Sequence, residues 1–369
     1  MSAQTLSKGR FGRIRPIPHR GGGVNSLRKL LNTLFVLTGS SYLSLDGENV
    51  VVSVEKSETA RFPLHTLEGI LSFSYGGASP ALMGACAKRG VDLVFFSPQG
   101  RFLARTVGEA RGNVLLRQQQ YRIADDPFAS SQFANGFLLG KIYNSRWVLE
   151  RATRDHPQRV PVECMKSLSG QLAEALQRIE QAATMEELRG IEGEAAQRYF
   201  KGFDYLLLQQ RETFAFTKRS RRPPLDPINA LLSFAYTLLS RECAAALEGV
   251  GLDPYVGFLH RARPGRTSLA QDLMEELRSC YADRFVISCV NQKILTAKHC
   301  QKQESRAVLL SDEGRRAFLT AWQHRKQQTI THPFLSEKIP WGLVPYIQAL
   351  LLARTLRGDL ERYPPFFWK

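Results

Sequence analysis

The sequence lacks the marks of a secreted, membrane-spanning or thiolate-metal protein. Its N-terminus has arginines and glycines but no apolar signal core, and no apolar run approaches the ~20 residues of a membrane span. The cysteines are scattered, several lie inside apolar segments, and none forms a C-x-x-C pair. They are Cys86, Cys164, Cys243, Cys280, Cys289 and Cys300. This pattern indicates reduced, buried thiols in a cytoplasmic protein without a zinc or iron–sulfur site.

Acidic residues are also scarce. The chain has 34 Asp and Glu against 50 Lys and Arg, a formal net charge of +16 and a pI near 9.8. Such a surplus favours polyanionic partners, which are nucleic acids or anionic membranes. Without a membrane span, nucleic acid is the better interpretation. The alternative is a basic protein whose charge serves only solubility.

The length of 369 residues, 43% of them hydrophobic, fits a soluble protein of two domains at ~150 residues each. We predict a flexible basic arm over residues 1–23, a β domain over 24–106 and a helical domain over 107–369. The fold class is therefore α+β, with a mainly antiparallel β domain followed by a larger all-α catalytic domain.

The β prediction depends on short runs rich in β-branched and aromatic residues, such as SYLSL and NVVVSVE. Asp46-Gly47 between these two runs predicts a hairpin, because both residues tolerate positive φ. One short helix interrupts the strands in SPALMGACAKRG, where Ser79 can cap, Pro80 fits the first turn and Gly90 stops the helix. After residue 110 apolar residues recur at spacings of three and four, which indicates helices. A basic, proline-rich connector, KRSRRPPLDP, interrupts them at residues 218–227.

The stretch YVGFLHRARPGRTSLAQDLMEEL, residues 255–277, places a histidine, three arginines and paired acids close together. Ser268 and Gln271 have the spacing of a capping box, so a helix is expected to begin at Ser268. Its leucines and Met274 share one arc facing the core, which leaves Asp272, Glu275 and Glu276 on the remaining surface. A solvated acidic face is the alternative to a site here.

Glu192 lies on the apolar face of a second helix. The stripe around it is Met185, Leu188, Ala195, Ala196 and Tyr199. A carboxylate directed inward costs several kcal/mol unless a cation or donors compensate it. Gly190 and Gly193 each cost the helix ~1 kcal/mol relative to Ala, so we expect something to approach the backbone closely there. The alternative is a buried Glu–Arg pair.

His260 ends an apolar strip, and by itself such a histidine is as well explained by a hydrogen-bonded core position. Together with Glu192 and the acids at 272 and 275 it makes a ligand set of oxygen and nitrogen without thiolate. That set suits Mg²⁺ or Mn²⁺ better than structural zinc.

The motifs GIEG, GFLH and QDLMEEL resemble the CRISPR-associated endonuclease family that integrates new spacers, the larger catalytic subunit of the adaptation complex. The similarity runs from about Val24 to the C-terminus, most closely in the form found with subtype I-C systems. It includes FPLHTLEGIL, GASPALMGACAKRGV, LDPINALLSFAYTLL, GLDPYVGFLH and QALLLARTLRGDLERYPPF.

The resemblance assigns the metal-ligand glutamate to Glu192, the histidine to His260 and the final acidic ligand to Glu275. Asp272 matches a further acidic position that ligates or orients, and Arg101 resembles an arginine implicated in DNA contact. Two other groups of basic residues are candidates for the DNA backbone, with a solvated loop as the alternative for each. They are Arg261, Arg263 and Arg266, and Lys218, Arg219, Arg221 and Arg222.

The implied reaction is phosphoryl transfer on DNA, in which the 3′-hydroxyl of an incoming fragment attacks a phosphodiester at the end of a CRISPR repeat. The resemblance further implies a homodimer formed through the β domain and two protein partners. One is a small ferredoxin-like adaptation protein, and the other is an iron–sulfur exonuclease. Two alternatives remain: a non-catalytic DNA-binding architectural subunit, and a metal-dependent nuclease that cuts branched DNA in repair.

Overall fold

The computed structural model describes residues 33–36, 38, 40–67, 69–97, 102–108 and 114–369. The predicted arm over residues 1–23 and the predicted DNA contact Arg101 lie outside the described residues. Strands occupy the described part up to residue 105, and helices dominate from residue 114. The expected order of a β region followed by a larger helical region is confirmed.

The first sheet of the β region is antiparallel, with strand order β2-β3-β4. The strands are β2 Ser41–Asp46, β3 Asn49–Val54 and β4 Ser57–Pro63. Asp46 pairs with Asn49 across the predicted turn, where Gly47 has a φ of +58°. The Asp-Gly signal therefore placed this hairpin correctly, because glycine adopts positive φ without a steric cost.

The second sheet has the order β1-β5-β6-β7. Its strands are β1 Thr33–Val36, β5 Gly69–Ser72, β6 Asp92–Phe96 and β7 Phe102–Arg105. β1 and β6 both run parallel to β5, and only β7 is antiparallel to its neighbour. The helix α1, Pro80–Arg89, makes the crossover from β5 to β6. As predicted, the Ser79 side chain accepts the Leu82 N–H, and Gly90 ends the helix at a φ of +68°.

The helical region contains nine α-helices within the described residues. They are α2 Val114–Asp125, α3 Pro127–Asp155, α4 Val162–Gln181, α5 Met185–Phe203, α6 Pro227–Gly249, α7 Ser268–Leu277, α8 Arg284–Asn291, α9 Asp312–Gln327 and α10 Val344–Leu356. A π-helical segment, Arg278–Asp283, joins α7 to α8.

This region is not purely helical, in contrast to the expected all-α domain. It carries two small hairpins, β8 Cys300–Lys302 with β9 Val308–Leu310, and β10 Thr329–Thr331 with β11 Lys338–Pro340. Each strand has three residues, which is too short to show the alternation of polar and apolar residues that indicates a strand.

The β region and the helical region each have a hydrophobic core cluster. The smaller comprises residues between Val36 and Leu93, and the larger extends from Leu116 to Trp368 and includes Phe73. By length and composition alone α6 could span a membrane, because its most apolar window has a mean hydropathy of 1.2. This segment was not identified as a span from the sequence. Its apolar window is 61% buried inside the fold, and it packs against α7 and α10, which is typical of a core helix. The domain limits at 23/24 and 106/107 remain a prediction.

The C-terminal segment after α10 is fastened to α3 and α7. The Asn144 amide, in the middle of α3, donates to the carbonyl oxygens of Glu276 and Phe366, and its oxygen accepts the Trp368 N–H. The Glu276 carboxylate accepts the Tyr363 hydroxyl and the Phe366 N–H. This buried network ties the helix that carries Glu275 to both the chain end and the central helix.

Asn144→Ala tests this connection. The change leaves two carbonyl oxygens and one N–H unsatisfied in the core, and we expect the free energy of unfolding to fall by about 2–5 kcal/mol. Urea denaturation measures the loss. The exposed Gln177→Ala on α4 is the control, and equal stabilities of the two variants would contradict a connecting role for Asn144.

Candidate active site

Glu192 is placed by the start of α5. The Thr184 side chain accepts the Glu187 N–H, and the Glu187 carboxylate accepts the Thr184 N–H, which is a capping box. With the helix starting at this capping box, Glu192 lies on the inward face of α5, and its side chain is 29% exposed. Glu194 is 46% exposed and pairs with Arg178 on the outer surface at 2.7 Å. The phase predicted from the apolar stripe agrees with this structure.

The acids of α7 are buried, in contrast to the expected placement on its remaining surface. Asp272, Glu275 and Glu276 are 0, 3 and 0% exposed. α7 is covered from several sides because it packs against α3, α6 and α10. The solvated acidic face is therefore wrong. Burial of three carboxylates requires cations or donors for each one.

Ser268 does not cap α7 as expected. Its hydroxyl donates to the carbonyl oxygen of Arg261, and Thr267 stands at the N-cap without a side-chain hydrogen bond. Ser268 instead ties the arginine loop to the first turn of the helix, which brings the end of the GFLH motif close to α7.

The Asp272 carboxylate accepts hydrogen bonds from the backbone of the GFLH motif. One oxygen accepts the N–H groups of Phe258 and Leu259 at 2.6 and 3.0 Å. The other accepts the His260 N–H at 2.9 Å and lies 2.6 Å from Nδ1 of the same residue. A Cβ at Gly257 would lie 2.7 Å from this carboxylate, so the close approach requires glycine.

This contact sets the orientation of the imidazole. With Nδ1–H donated to Asp272, the lone pair of the His260 ring is on Nε2. Nε2 faces the Glu275 carboxylate, 4.0 Å from its Oε1. His260 is thus presented as a ligand-type nitrogen, while Asp272 has both oxygens engaged and acts by positioning it.

Lys141 on α3 brings Glu192 and Glu275 together. Its ammonium contacts Oε1 of Glu192 and lies 2.8 Å from Oε2 of Glu275. Arg278, on the π-helical segment, contacts Oε1 of Glu275 at 2.8 Å. A buried Glu–Arg pair was the alternative interpretation of Glu192, whereas its ion-pair partner in the structure is this lysine. Lys141 therefore joins Glu192 to Glu275, and His260 lies beside the other oxygen of Glu275.

The electrostatics keep Glu275 ionised. Burial by itself would raise its pKa, but the positive charges of Arg278 and Lys141, and the nearby His260, outweigh that effect and lower the pKa to about 2. Glu275 therefore carries a full negative charge at neutral pH despite being almost completely buried.

The donors fit a hard divalent cation. Within the described residues no group of three or more His, Cys, Asp or Glu side chains is arranged to hold a metal ion, and the Lys141 ammonium lies between the two carboxylates. Oε2 of Glu275 is buried without a hydrogen bond of good geometry and has only the ion contact with Lys141. Carboxylate oxygens and one imidazole nitrogen suit Mg²⁺ or Mn²⁺.

A layer of tyrosines lies behind Arg278. Asp283 accepts the hydroxyls of Tyr199 and Tyr236 at 2.9 and 2.5 Å, and burial raises its pKa to about 6. The Arg278 guanidinium lies over the Tyr236 ring, 4.8 Å from its centroid. This packing fixes the guanidinium that contacts Glu275.

Comparison with known proteins identifies the family. A family model described as CRISPR associated protein Cas1 matches residues 34–324. The chain belongs to the Cas1 family. A relative from Chlorobaculum tepidum, named CRISPR-associated endonuclease Cas1 1, is 48% identical and covers 93% of this chain and 100% of its own. A relative from Geobacter sulfurreducens, named CRISPR-associated exonuclease Cas4/endonuclease Cas1 fusion, is 34% identical over 90% of this chain and 60% of its own.

Solved structures agree on the Cas1 fold. A casposase bound to integration product has a TM-score of 0.78 at 22% identity and covers 91% of this chain and 94% of its own. A Cas6-RT-Cas1–Cas2 complex has a TM-score of 0.74 at 22% identity, covering 96% of this chain and 38% of the other. The family inferred from the sequence motifs is confirmed, and the subtype remains a prediction.

The basic residues predicted to contact DNA differ in their exposure to solvent. Among the candidates that the structure describes, Lys218, Arg221, Arg222, Arg261 and Arg263 are exposed, and Arg266 is half-buried.

Arg219 differs from the others. Its guanidinium donates to the Asn229 and Ser233 side chains of α6 at 2.6 and 3.2 Å and lies over the Tyr236 ring. Burial lowers its pKa. Both terminal nitrogens of Arg219 are engaged within the fold, although its Nε is buried without a hydrogen bond, so Arg219 packs the connector against α6.

No described residue of this chain makes the close approach predicted at Gly190 and Gly193, which remains a prediction. A Cβ added at either glycine would meet no described atom within 4 Å. These positions leave the surface of α5 beside Glu192 bare.

The sequence did not single out Lys141 or Arg278. A signal existed for each: Lys141 is the one charged residue in the run GFLLGKIYN, and Arg278 follows Glu275 by three positions on a helix. Neither signal is specific by itself, since such residues are common on exposed helix faces.

Lys141→Met tests the shared cation. Without the ammonium, Glu192 and Glu275 repel each other in a poorly solvated place, and we expect unfolding free energy in EDTA to fall by about 2–4 kcal/mol. Saturating Mn²⁺ should restore more stability to this variant than it adds to the wild type, because an ion can then replace the lysine. Urea denaturation with and without Mn²⁺ measures both effects.

The control is Lys166→Met, which removes a lysine 52% exposed and paired with Glu150. This change should lower the free energy of unfolding by less than 1 kcal/mol, and Mn²⁺ should not stabilise the variant more than the wild type. Equal behaviour of the two variants would show that Lys141 does not occupy a cation site.

Proposed function

We propose that this chain is a metal-dependent DNA endonuclease and integrase that inserts foreign DNA fragments as new spacers into a CRISPR array. The observation that supports the proposal is that, in a member of the Cas1 family, Lys141 joins Glu192 to Glu275 and His260 lies 4.0 Å from Glu275. The chain acts in the cytoplasm, where both the incoming fragment and the array are accessible.

Each residue of the site has a different proposed role. The Glu192 and Glu275 carboxylates and Nε2 of His260 would hold Mg²⁺ or Mn²⁺, which would supply polarisation of the scissile phosphate and neutralisation of charge on the leaving oxygen. Asp272 keeps the imidazole aligned by occupying its other nitrogen. Lys141 contacts both carboxylates and helps to keep Glu275 ionised.

The nucleophile comes from DNA. The 3′-hydroxyl of the incoming fragment forms a new P–O bond to a phosphodiester at the repeat end, and the bond to the 3′-oxygen of the repeat strand breaks. Four of the cysteines are poor candidates for this role because they are buried, and burial raises the pKa of Cys289 to about 12, whereas Cys164 is exposed at the start of α4. The protein supplies positioning and charge stabilisation.

Two basic segments flank the site. The loop of Arg261, Arg263 and Arg266 follows His260 directly, and Arg221 of the connector lines the same cleft as Glu192 and Arg278. Exposed arginines and lysines beside a cation site suit the phosphate backbone of DNA, so the affinity for DNA should fall steeply with salt. Lys218 and Arg222 extend this surface, and Arg101 belongs to the same proposal.

The partners follow from the family. The chain forms a homodimer through the β region, residues 24–106, and a small ferredoxin-like adaptation protein bridges two dimers. The name of the similar Cas6-RT-Cas1–Cas2 complex supports a second adaptation protein as a partner. The Geobacter fusion supports the iron–sulfur exonuclease, because covalent linkage of two enzymes is typical of proteins that act together.

The decisive assay offers a DNA fragment with free 3′-hydroxyls and a repeat-containing plasmid, with Mn²⁺ or with EDTA. We expect joined products only with the metal. Glu192→Gln should lower joining by about 100-fold or more, because it removes a ligand charge while keeping the shape. The matched control Glu194→Gln, two residues away on the outer face, should join DNA like the wild type.

Other outcomes separate the alternatives. Cleavage of branched DNA without joining would favour a repair nuclease, and DNA binding without any product would favour an architectural subunit. Full joining by Glu192→Gln would remove Glu192 from the ligand set.

Asp272→Asn tests the positioning role. The amide places N–H groups against the backbone donors of residues 258–260 and loses the partner of Nδ1. We expect the affinity for Mn²⁺, measured by calorimetric titration, to fall about 10–100-fold. The control is Asp253→Asn, which alters a carboxylate of the same loop that contacts Tyr121. Unchanged Mn²⁺ affinity in Asp272→Asn would contradict the assignment.

A further inference from the structure

A second cavity lies on the molecule away from the candidate active site. It has a volume of about 330 Å³ and is bounded by the second half of α3, the segment 206–209 after α5, and α8. Its basic lining residues are Arg151, His156, Arg159 and Arg284, whereas its acidic lining residue is Asp155. Asp155 pairs with Arg154 at 2.8 Å. The cavity is therefore strongly basic.

Two guanidinium groups of this cavity share one aromatic ring. Arg151 and Arg284 lie over Trp368, 4.2 and 4.4 Å from the ring centroid. Arg151 also donates to the carbonyl oxygen of Lys369 at 2.9 Å, and its Nε is buried without a hydrogen bond. The ring packing brings two like charges close to each other.

Arg284 has no hydrogen bond or ion pair within the described residues. Other buried arginines differ, since Arg278 pairs with Glu275 and Arg105 pairs with Glu248. Burial, together with repulsion from Arg325 and Arg151, lowers the pKa of Arg284 to about 10. Both guanidinium groups are partly removed from water next to each other, and the acidic residue of the lining, Asp155, already pairs with Arg154, so an anion in the cavity would be stabilised there.

The shape of the donors indicates which anion fits. A guanidinium stacked on a ring directs its N–H groups sideways, in a planar fork that matches phosphate oxygens. Arg159 and His156 add further positive or donor groups at the rim, where both are exposed. The volume is larger than one phosphate needs and is at the lower end for small-molecule pockets. It leaves room for the attached nucleoside beside the apolar walls formed by Val148, Ala152 and Ile287.

We propose that this cavity binds a phosphate-bearing nucleotide at the end of a DNA strand, as a site separate from the catalytic one. The choice of DNA as the source of the phosphate rests on the proposed function. α3 carries both Lys141 and Arg151, ten residues apart, which corresponds to about 15 Å along the helix. A strand held here by its terminal phosphate is thus within a few nucleotides of the active site.

The test uses the full chain in EDTA, so that it is independent of catalysis. Melting temperature and tryptophan emission are measured against inorganic phosphate, a 5′-phosphorylated dinucleotide and the same dinucleotide without phosphate. We expect the phosphorylated dinucleotide to bind best, to raise the melting temperature and to change the emission. Trp368→Phe should lose the emission change while keeping the thermal shift, which assigns the signal to that ring.

Arg284→Gln should weaken the binding of the phosphorylated dinucleotide about tenfold or more, as expected for one charge-assisted hydrogen bond. Arg284→Lys keeps the charge and should retain part of the affinity. Arg357→Gln removes an exposed arginine paired with Asp359 and should bind like the wild type. Glu192→Gln should also bind normally, which separates this site from the proposed catalysis.

Three results would overturn the proposal. One is an equal response in Arg284→Gln and the wild type. Another is no wild-type response to any phosphate. The third is equal binding of inorganic phosphate and the phosphorylated dinucleotide, which would show that the site does not select a DNA strand.

Discussion

The ammonium of Lys141, placed between the carboxylates of Glu192 and Glu275, is the interaction on which the site depends. Two ionised carboxylates that are largely removed from water repel each other unless a positive charge lies between them. Because α3 supplies that charge, α5 and α7 can direct their acids to one point. The same arrangement defines a place that a divalent cation can take, with His260 alongside.

The acids of α7 show how burial assigns different roles to similar residues. Asp272 has its oxygens engaged by backbone N–H groups and an imidazole, so it orients His260. Glu275 faces cations and stays charged. Glu276 points the other way and fastens the C-terminal segment through Tyr363 and Phe366, and burial raises its pKa to about 7. One short helix thus connects the site, the loop before it and the end of the chain.

Arginines show the same dependence on surroundings. Arg278 lies against Glu275 and over a tyrosine ring, so its charge is compensated within the fold. Arg219 resembles its exposed neighbours in sequence, but its guanidinium donates hydrogen bonds to side chains of α6. Arg284 is partly buried without a counter-ion, which makes it a candidate for an external anion.

Local patterns in the sequence determined the hairpin at Asp46-Gly47, the ends of α1, the inward face of Glu192 and the family, because turn chemistry, capping and helical period act over a few residues. The tertiary structure decided what neighbours each charge has. Only the packing of the helices buried the acids of α7, brought Lys141 between Glu192 and Glu275, and left Gly190 and Gly193 uncovered. Contacts between residues more than a hundred positions apart depend on how helices meet, and no local period carries that information.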